Sequence, residues 1–506
     1  MANLLGIDVG TSGTKAIVVG DDGGILGTGT GHHEPLIPRG GWSEQPPDDW
    51  WDSTVSAISL ACNDAGISPR TIDGIGLTGQ MHGLVALDRS MTPIRPSMLW
   101  NDGRCEPQCH EVEHRLGLER LVALTGNRML PGFTAPKLLW MREHEPAAFE
   151  RIATVLLPKD WVRWRLSGAV ATDVSDASGT AVFDCRRRRW SEELLAELDL
   201  PRSWWPDAAE SPTVVATVNA EASDATGLPA GTPIVAGAGD QAASAVGTGL
   251  VREGTIGAAL GTSGVTFAPS DEWRFTPDGT LHAFCAAVPD CWHLMGVMLS
   301  GAGSLDWFRA AFMPELGDGT EAFQEIEALA KSAPPGADGL LFLPYLSGER
   351  TPHSDVNARG AFIGLDRRHD RRHLARSVFE GVTHGLADCL DLVRDTGLQA
   401  EVVRLSGGGM KSPLWKQTCA DLFRAPVATT TTTEGTAFGA VILAATGIGR
   451  FKDVPTACDA WIHETERIEP GPDARLLEDR HRVYQRLYPA LKGIFPAIAE
   501  NPEADR

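Results

Sequence analysis

The same four residues, Gly-Thr-Ser-Gly, stand at Gly10–Gly13 and again at Gly261–Gly264, 251 positions apart in a chain of 506. Each copy follows a short apolar run, Ile7–Val9 or Ala258–Leu260, and precedes another, Ala16–Val19 or Val265–Phe267. Self-similarity at half the chain length points to two related domains rather than a solenoid of short repeats. Length agrees, since 506 residues exceed what one hydrophobic core serves. The expected division is residues 1–247 and 248–506. Each copy reads as a β-hairpin: glycines permit the tight turn and let backbone N–H groups approach a ligand, while Thr and Ser hydroxyls add donors. Such a turn cradles an anion, and two of them suit a polyphosphate. Thr11, Ser12, Gly261 and Thr262 are therefore candidate phosphate contacts.

The flanking pattern is α/β. After the first loop, Asp21-Asp22-Gly23-Gly24 reads as a turn and Ile25–Thr30 as a returning strand. Trp50–Cys62 has helical spacing and Ile75–Leu77 is a short apolar strand. No apolar run reaches the roughly 18 residues of a membrane span, and Met1–Asp8 reads as a buried strand rather than a secretory signal. A net charge of −21 disfavours nucleic acid and anionic membrane as partners. The run Arg186–Arg189 reads as a solvated turn, with no aromatic platform beside it. Nine cysteines lack any repeated metal-ligand spacing, so reduced thiols and a cytoplasmic location are expected.

Two carboxylates stand at predicted strand ends. Asp240 follows Thr232–Gly239, an apolar run ending in glycines, and precedes a small-residue helical stretch. Ligands of α/β folds bind at such carboxyl ends. Locally the residue reads equally well as a helix cap. Asp8 lies just before the first loop, where a carboxylate serves either the turn or a hard cation held through water. Lys15 reads as either a phosphate contact or a solvated strand lysine. Leu405–Trp415, with Gly407-Gly408-Gly409 and Ser412-Pro413, reads as strand, glycine loop and helix start, a place for a nucleotide. Thr431 and Glu434 have capping-box spacing ahead of a packing helix over 434–449, with Gly435 and Gly439 on one face.

The paired loops, Asp-x-Gly-Thr-Ser-x-Thr-Lys and Leu-Gly-Thr-Ser-Gly, resemble the phosphate motifs of the actin-like ATPase superfamily. That resemblance implies two ribonuclease-H-like α/β domains with a catalytic cleft between them. Gly132–His144 and Gly360–Glu380 are similar to the two signatures of the FGGY carbohydrate kinases. The similarity runs from Ile7 to about Gly449, leaving a tail that reads as helical. Trp42–Gln45, Gly79–Gly83, Leu99–Arg104, Leu157–Asp160 and Leu346–Pro352 resemble members that phosphorylate D-xylulose. No Arg-Glu pair of the glycerol-specific members stands near Met81-His82.

The resemblance implies ATP and Mg2+ as cofactors, Asp240 as general base, and Asp8 toward the metal. It places Met81, His82, Trp100, Asn101, Asp240 and Gln241 on a sugar, and Gly408, Gly409 and Ser412 on the nucleotide. A homodimer is the assembly it suggests. The alternatives are a kinase of another pentulose, a hexulose, a polyol or gluconate, and an actin-fold protein that binds ATP without phosphorylating a metabolite.

Overall fold

A computed structural model describes residues 3–432 and 434–499. Seven strands form the first sheet: β1 (Asn3–Val9), β2 (Gly13–Val19), β3 (Ile25–His32), β4 (Ile72–Gly79), β5 (Val214–Thr217), β6 (Pro233–Val235) and β7 (Ala238–Gly239). The order is β5-β6-β4-β1-β2-β3, with β7 continuing beside β4. β1, β2 and β3 are antiparallel neighbours, whereas β4 runs parallel to β1, and β6 and β7 run parallel to β4. β1 is buried on both faces, which explains its unbroken apolar run.

The second sheet repeats this plan with β8 (Thr255–Leu260), β9 (Gly264–Ser270), β10 (His282–Cys285), β11 (Trp292–Met298), β12 (Val402–Ser406), β13 (Val427–Thr430) and β14 (Glu464–Ile468). Its order is β10-β11-β9-β8-β12-β13-β14. With β5 and β7 set aside in the first sheet and β10 and β14 in the second, both have the order third-second-first-fourth-fifth, so the echo read in the sequence is a duplication of topology.

The two loops are not identical. β1 and β2 last pair at Val9 and Thr14, enclosing four residues, and the Gly10 N–H donates to Gly13 O at 3.0 Å. β8 and β9 still pair at Leu260 and Gly264, and the Gly261 N–H donates to Ser263 O at 3.0 Å. The second turn is one residue tighter, and Gly261, Thr262 and Ser263 all stand exposed.

Five helices matter for the site: α1 (Pro47–Asp64), α2 (Asp240–Gly247), α3 (Arg371–Asp395), α4 (Pro413–Phe423) and α5 (Gly435–Gly447). α5 comes from the second half of the chain yet lies on β1 and β4 of the first sheet and against α2. Glycine makes this approach possible. A Cβ on Gly76 would overlap the Ala440 carbonyl, one on Gly247 the Gly435 carbonyl, and one on Gly439 the Ala243 carbonyl. Around them Leu4, Ile17, Val19 and Val235 pack with Phe438, Val441, Ile442 and Leu443. Each fully buried side chain of this size contributes about 1.5–3 kcal/mol.

Three expectations change. No side chain caps α5, because Glu434 turns away from Thr431 to pair with Lys15, so the capping box does not form. The tail is not wholly helical, since β14 closes the edge of the second sheet beside β13. Within Arg186–Arg189, Arg188 is not solvated: its guanidinium holds Glu210 at 2.6 Å and donates to Cys291 O at 2.6 Å. Burying that charge is tolerable because a carboxylate and a carbonyl both meet it. Among the described residues no helix is long and apolar enough to cross a membrane, and all nine cysteines are unpaired.

Candidate active site

Strand register sets the site. Val9 and Gly79 are partners across β1 and β4, and Gly79 and Gly239 across β4 and β7. Three parallel strands therefore end level, and the chain emerges from them as Gly10, Gln80 and Asp240 along one rim. Met81 is packed against Gly239, where an added Cβ would meet its Sδ at 2.9 Å. Met81, His82 and Asp240 are thus brought to one place.

His82 sits at a left-handed φ of 70°. The strain is held by its own carbonyl, which accepts from Lys137 Nζ at 2.8 Å and Thr134 Oγ1 at 3.1 Å. Its Nδ1 lies 2.8 Å from Gly179 O, which can only accept, so Nδ1 carries the proton and Nε2 is an acceptor. Burial, then the Lys137 charge, lower its pKa to about 3 against the opposing Gly179 hydrogen bond, with smaller contributions from His282 and Arg350. The imidazole is neutral, with Phe133 beside it at 4.7 Å between centroids.

Asp8 and Asp240 share an electrostatic environment. Burial, then the Asp240 charge, push Asp8 up to about 7, with Lys15 opposing and Glu434 adding to the rise. Lys15 is the cross-strand partner of Asp8 and is itself paired with Glu434. Burial raises Asp240 to about 6, although the Gln241 N–H donates to its Oδ1 at 2.7 Å.

Both folded-state values lie above the ordinary 3.8 of Asp, so between roughly pH 4 and 7 the folded chain binds protons more tightly than the unfolded one. Two effects are expected. The contribution of these groups to unliganded stability falls as pH rises across that window, read as a falling melting temperature when Asp240→Asn is the reference. Sugar kcat/KM rises through about pH 6 and levels above about 7. A kinetic profile flat from about pH 5 to 8 would count against both assignments.

A hydrogen-bonded net fixes the first loop. Thr11 Oγ1 donates to Gln80 Oε1 at 3.1 Å and accepts from Trp100 Nε1 at 3.0 Å. Gln45 Nε2 donates to Thr11 O at 2.6 Å, and Gln80 Nε2 to Gln45 Oε1 at 3.0 Å. His33 Nε2 reaches Gly10 O at 3.0 Å. The Thr11 hydroxyl is thereby engaged within the protein, leaving Ser12 exposed at the turn. Trp100 is half-exposed above the loop, and Asn101, exposed next to it, makes no side-chain hydrogen bond among the described residues. Gln241 lines a narrow cavity between α2 and β8–β9 with Ser244, Phe267 and Ser406. Gln45 and Gln80 lie within the Trp42–Gln45 and Gly79–Gly83 segments of the resemblance, whereas His33 carries no sequence signal of its contact with the loop.

The second sheet presents the matching rim. Ala259 of β8 is level with Ser406 of β12, so Gly261 and the Gly407–Gly409 loop emerge side by side. Gly407 takes φ 88°, Gly409 packs on Leu260, and Gly408 is open. Ser412 caps α4 by accepting the Trp415 N–H at 3.1 Å, which commits its oxygen to the helix but leaves its proton to donate. The segment before the helix Gly303–Phe312 supports the second loop: Gly301 N–H donates to Thr262 O at 2.8 Å and Ala302 N–H to Gly261 O at 2.7 Å. Its small-residue run Gly301-Ala302-Gly303 was a signal the sequence reading passed over.

The first 245 matched positions, residues 3–247, fit the model for the N-terminal domain of the FGGY family of carbohydrate kinases, and residues 257–448 fit that for its C-terminal domain. The chain belongs to the FGGY family of carbohydrate kinases. As a member it is an ATP-dependent sugar kinase. This FGGY kinase is 40% identical over 488 residues to a xylulose kinase of Escherichia coli, covering 96% of this chain and 99% of that one. It superposes on a xyloylose kinase from Brucella ovis with a TM-score of 0.90 at 36% identity, covering 97% and 100% of the two chains. It also superposes on a gluconate kinase from Lactobacillus acidophilus, with a TM-score of 0.92 at 26% identity over 98% and 99% of the chains. Similarity of backbone therefore spans members with different acceptors, and side chains must set the choice.

Among the described residues no group of three or more His, Cys, Asp and Glu could enclose a metal by itself. Asp8 still fits Mg2+, a hard ion commonly held by one or two carboxylates together with water and phosphate oxygens. Burial and the neighbouring Asp240 charge both raise the proton affinity of Asp8, a strain that a divalent cation would relieve.

Proposed function

We propose that this kinase transfers the γ-phosphoryl group of ATP to the C5 hydroxyl of D-xylulose, giving D-xylulose 5-phosphate and ADP, with Asp240 as general base. The observation that carries this reading is the placement of Asp240 at the level end of three parallel strands, beside Met81 and close to Asp8. The sugar O5 bonds to the γ-phosphorus as the bond from phosphorus to the β,γ-bridging oxygen breaks, and the O5 proton passes to Asp240. A carboxylate raised to about 6 is ionised at neutral pH and basic enough to take that proton.

His82 Nε2 accepts from a sugar hydroxyl, with Met81, Trp100, Asn101 and Gln241 around the sugar. Backbone N–H groups at Thr11, Ser12 and Thr262 meet the phosphates, Gly261 leaves room for their approach, and Gly408, Gly409 and Ser412 border the nucleoside. Asp8 would hold Mg2+, which would supply charge neutralisation at the phosphates. Residues 1–247 supply the sugar side and 248–506 the ATP side, in a cytoplasmic enzyme.

The name of the Escherichia coli relative favours xylulose. An ADP-release screen over pentuloses, hexuloses, polyols and aldonic acids tests it, with D-xylulose expected to give the highest kcat/KM. Discrimination between sugar epimers requires buried polar groups that one isomer leaves unpaired, at about 1–3 kcal/mol. His82→Ala is expected to narrow the preference for D-xylulose over D-ribulose by about tenfold while sparing ATP hydrolysis without sugar. A wild-type preference for ribulose, glycerol or gluconate would refute the xylulose reading.

A further inference from the structure

Behind Asp240 lies a group of charges that the proposed reaction does not touch. Lys159, Arg163 and Asp173 have no exposed surface. Lys159 Nζ lies 2.6 Å from Asp160, 2.8 Å from Asp173 and 3.2 Å from Asp176, and Arg163 pairs with Asp160. Burial raises Asp176 well above the ordinary carboxylate range. Burial would raise Asp160 too, but the Lys159 and Arg163 charges override it. With Asp176 protonated, two cations face two carboxylates and the group is neutral, the condition under which buried ions persist.

The group grips the backbone that presents Asp240. Between β6 and β7 the strand breaks at Gly237, whose φ is 76°. On the near side of the break, Arg163 Nη1 donates to Ala236 O at 2.6 Å. At the break, the Gly237 N–H donates to Ser211 O at 3.0 Å, and Ser211 Oγ donates to Asp173 at 3.3 Å. On the far side, the Gly239 N–H donates to Ser175 Oγ at 3.2 Å, and Ser175 Oγ donates to Asp173 Oδ2 at 2.5 Å. Apolar side chains of similar volume would fill this space at lower desolvation cost; what they could not supply is directed hydrogen bonds to a kinked strand.

We infer that Lys159, Arg163, Asp173 and Ser175 are positioning residues for phosphoryl transfer, a buried relay that locks the Ala236–Gly239 kink and thereby aims the Asp240 carboxylate at the sugar hydroxyl. This rests on the reading of Asp240 as general base. Catalytic groups must be held to a fraction of an ångström, and a displacement near 1 Å costs about 10²-fold.

The test is a double-mutant cycle in the full-length enzyme, with kcat and both KM values measured for Ser175→Ala, Asp240→Ala and the double variant. Ser175→Ala is expected to lower kcat about tenfold with KM for ATP and sugar changed less than about twofold, and to have less than about a twofold effect on the residual turnover of Asp240→Ala. Asp173→Asn is carried through the same cycle in case Ser175→Ala does not fold. An unchanged kcat, or equal losses in the presence and absence of Asp240, overturns the relay while leaving the base in place. Near-normal turnover of Asp240→Ala alone removes the base reading and the relay with it.

Discussion

Asp240→Ala is expected to lower kcat at least ~10²-fold, the lower bound of what a positioned general base contributes. Nucleotide affinity and folding should hardly change, because the residue sits at the start of α2 and its carboxylate is hydrogen-bonded by the adjoining Gln241 rather than by distant parts of the fold. Asp240→Asn separates chemistry from stability. It keeps the shape but removes a charge that burial disfavours, so above pH 7 its unliganded melting temperature should exceed that of wild type even as turnover collapses. Rapid-quench measurement of sugar phosphate with thermal melts across pH reads both. A folded Asp240→Ala enzyme with near-normal turnover would end the assignment.

Gly261→Val should weaken nucleotide binding by about 10- to 100-fold, a cost of roughly 1.4–2.7 kcal/mol, while sugar affinity stays within about twofold. The substitution tests the ligand rather than the fold. A Cβ at Gly261 would meet nothing nearer than Ser263 O at 3.9 Å, and Gly261 is not among the glycines at positive φ. The added methyls therefore occupy the space in front of the tighter of the two loops, where the phosphates are expected. Titration with ADP by calorimetry decides it, and unchanged affinity would mean that the second Gly-Thr-Ser-Gly does not cradle phosphate.

Much of this arrangement was legible because it repeats. Gly10–Gly13 and Gly261–Gly264 mark the first hairpin of each sheet, and the apolar run ending in Gly237-Ala238-Gly239 places Asp240 at a strand end, where the local sequence reads equally well as a helix cap and the family resemblance supplies the role of base. The kink at Gly237, the feature that separates β6 from β7, was hidden in that same run. The partners of the loops were also hidden, since hydrogen bonds between Thr11 and Trp100, or His33 and Gly10, join positions far apart in the chain and leave no periodic trace. The burial of Lys159 and Asp173 is similarly opaque, although the Leu157–Asp160 segment carries the resemblance: charged side chains in a sequence read as solvated until the fold encloses them. Glu434 shows the converse error, a local pattern outcompeted by the Lys15 charge from the other half of the chain.

At Gly76, Gly247 and Gly439 the seam between the halves brings main chain directly against main chain, and α5 lies on its neighbours there with no side chain between. Around those points the side chains of Leu4, Ile17 and Val235 interlock with Phe438, Val441 and Ile442, so the close approach is held in place and has no slack to absorb an added atom. A single methyl along it would act as a wedge. Inactivating substitutions in this enzyme will therefore cluster in two populations: one around the reacting groups, and a second strung along this seam, whose members never meet a ligand and whose damage no ligand can repair.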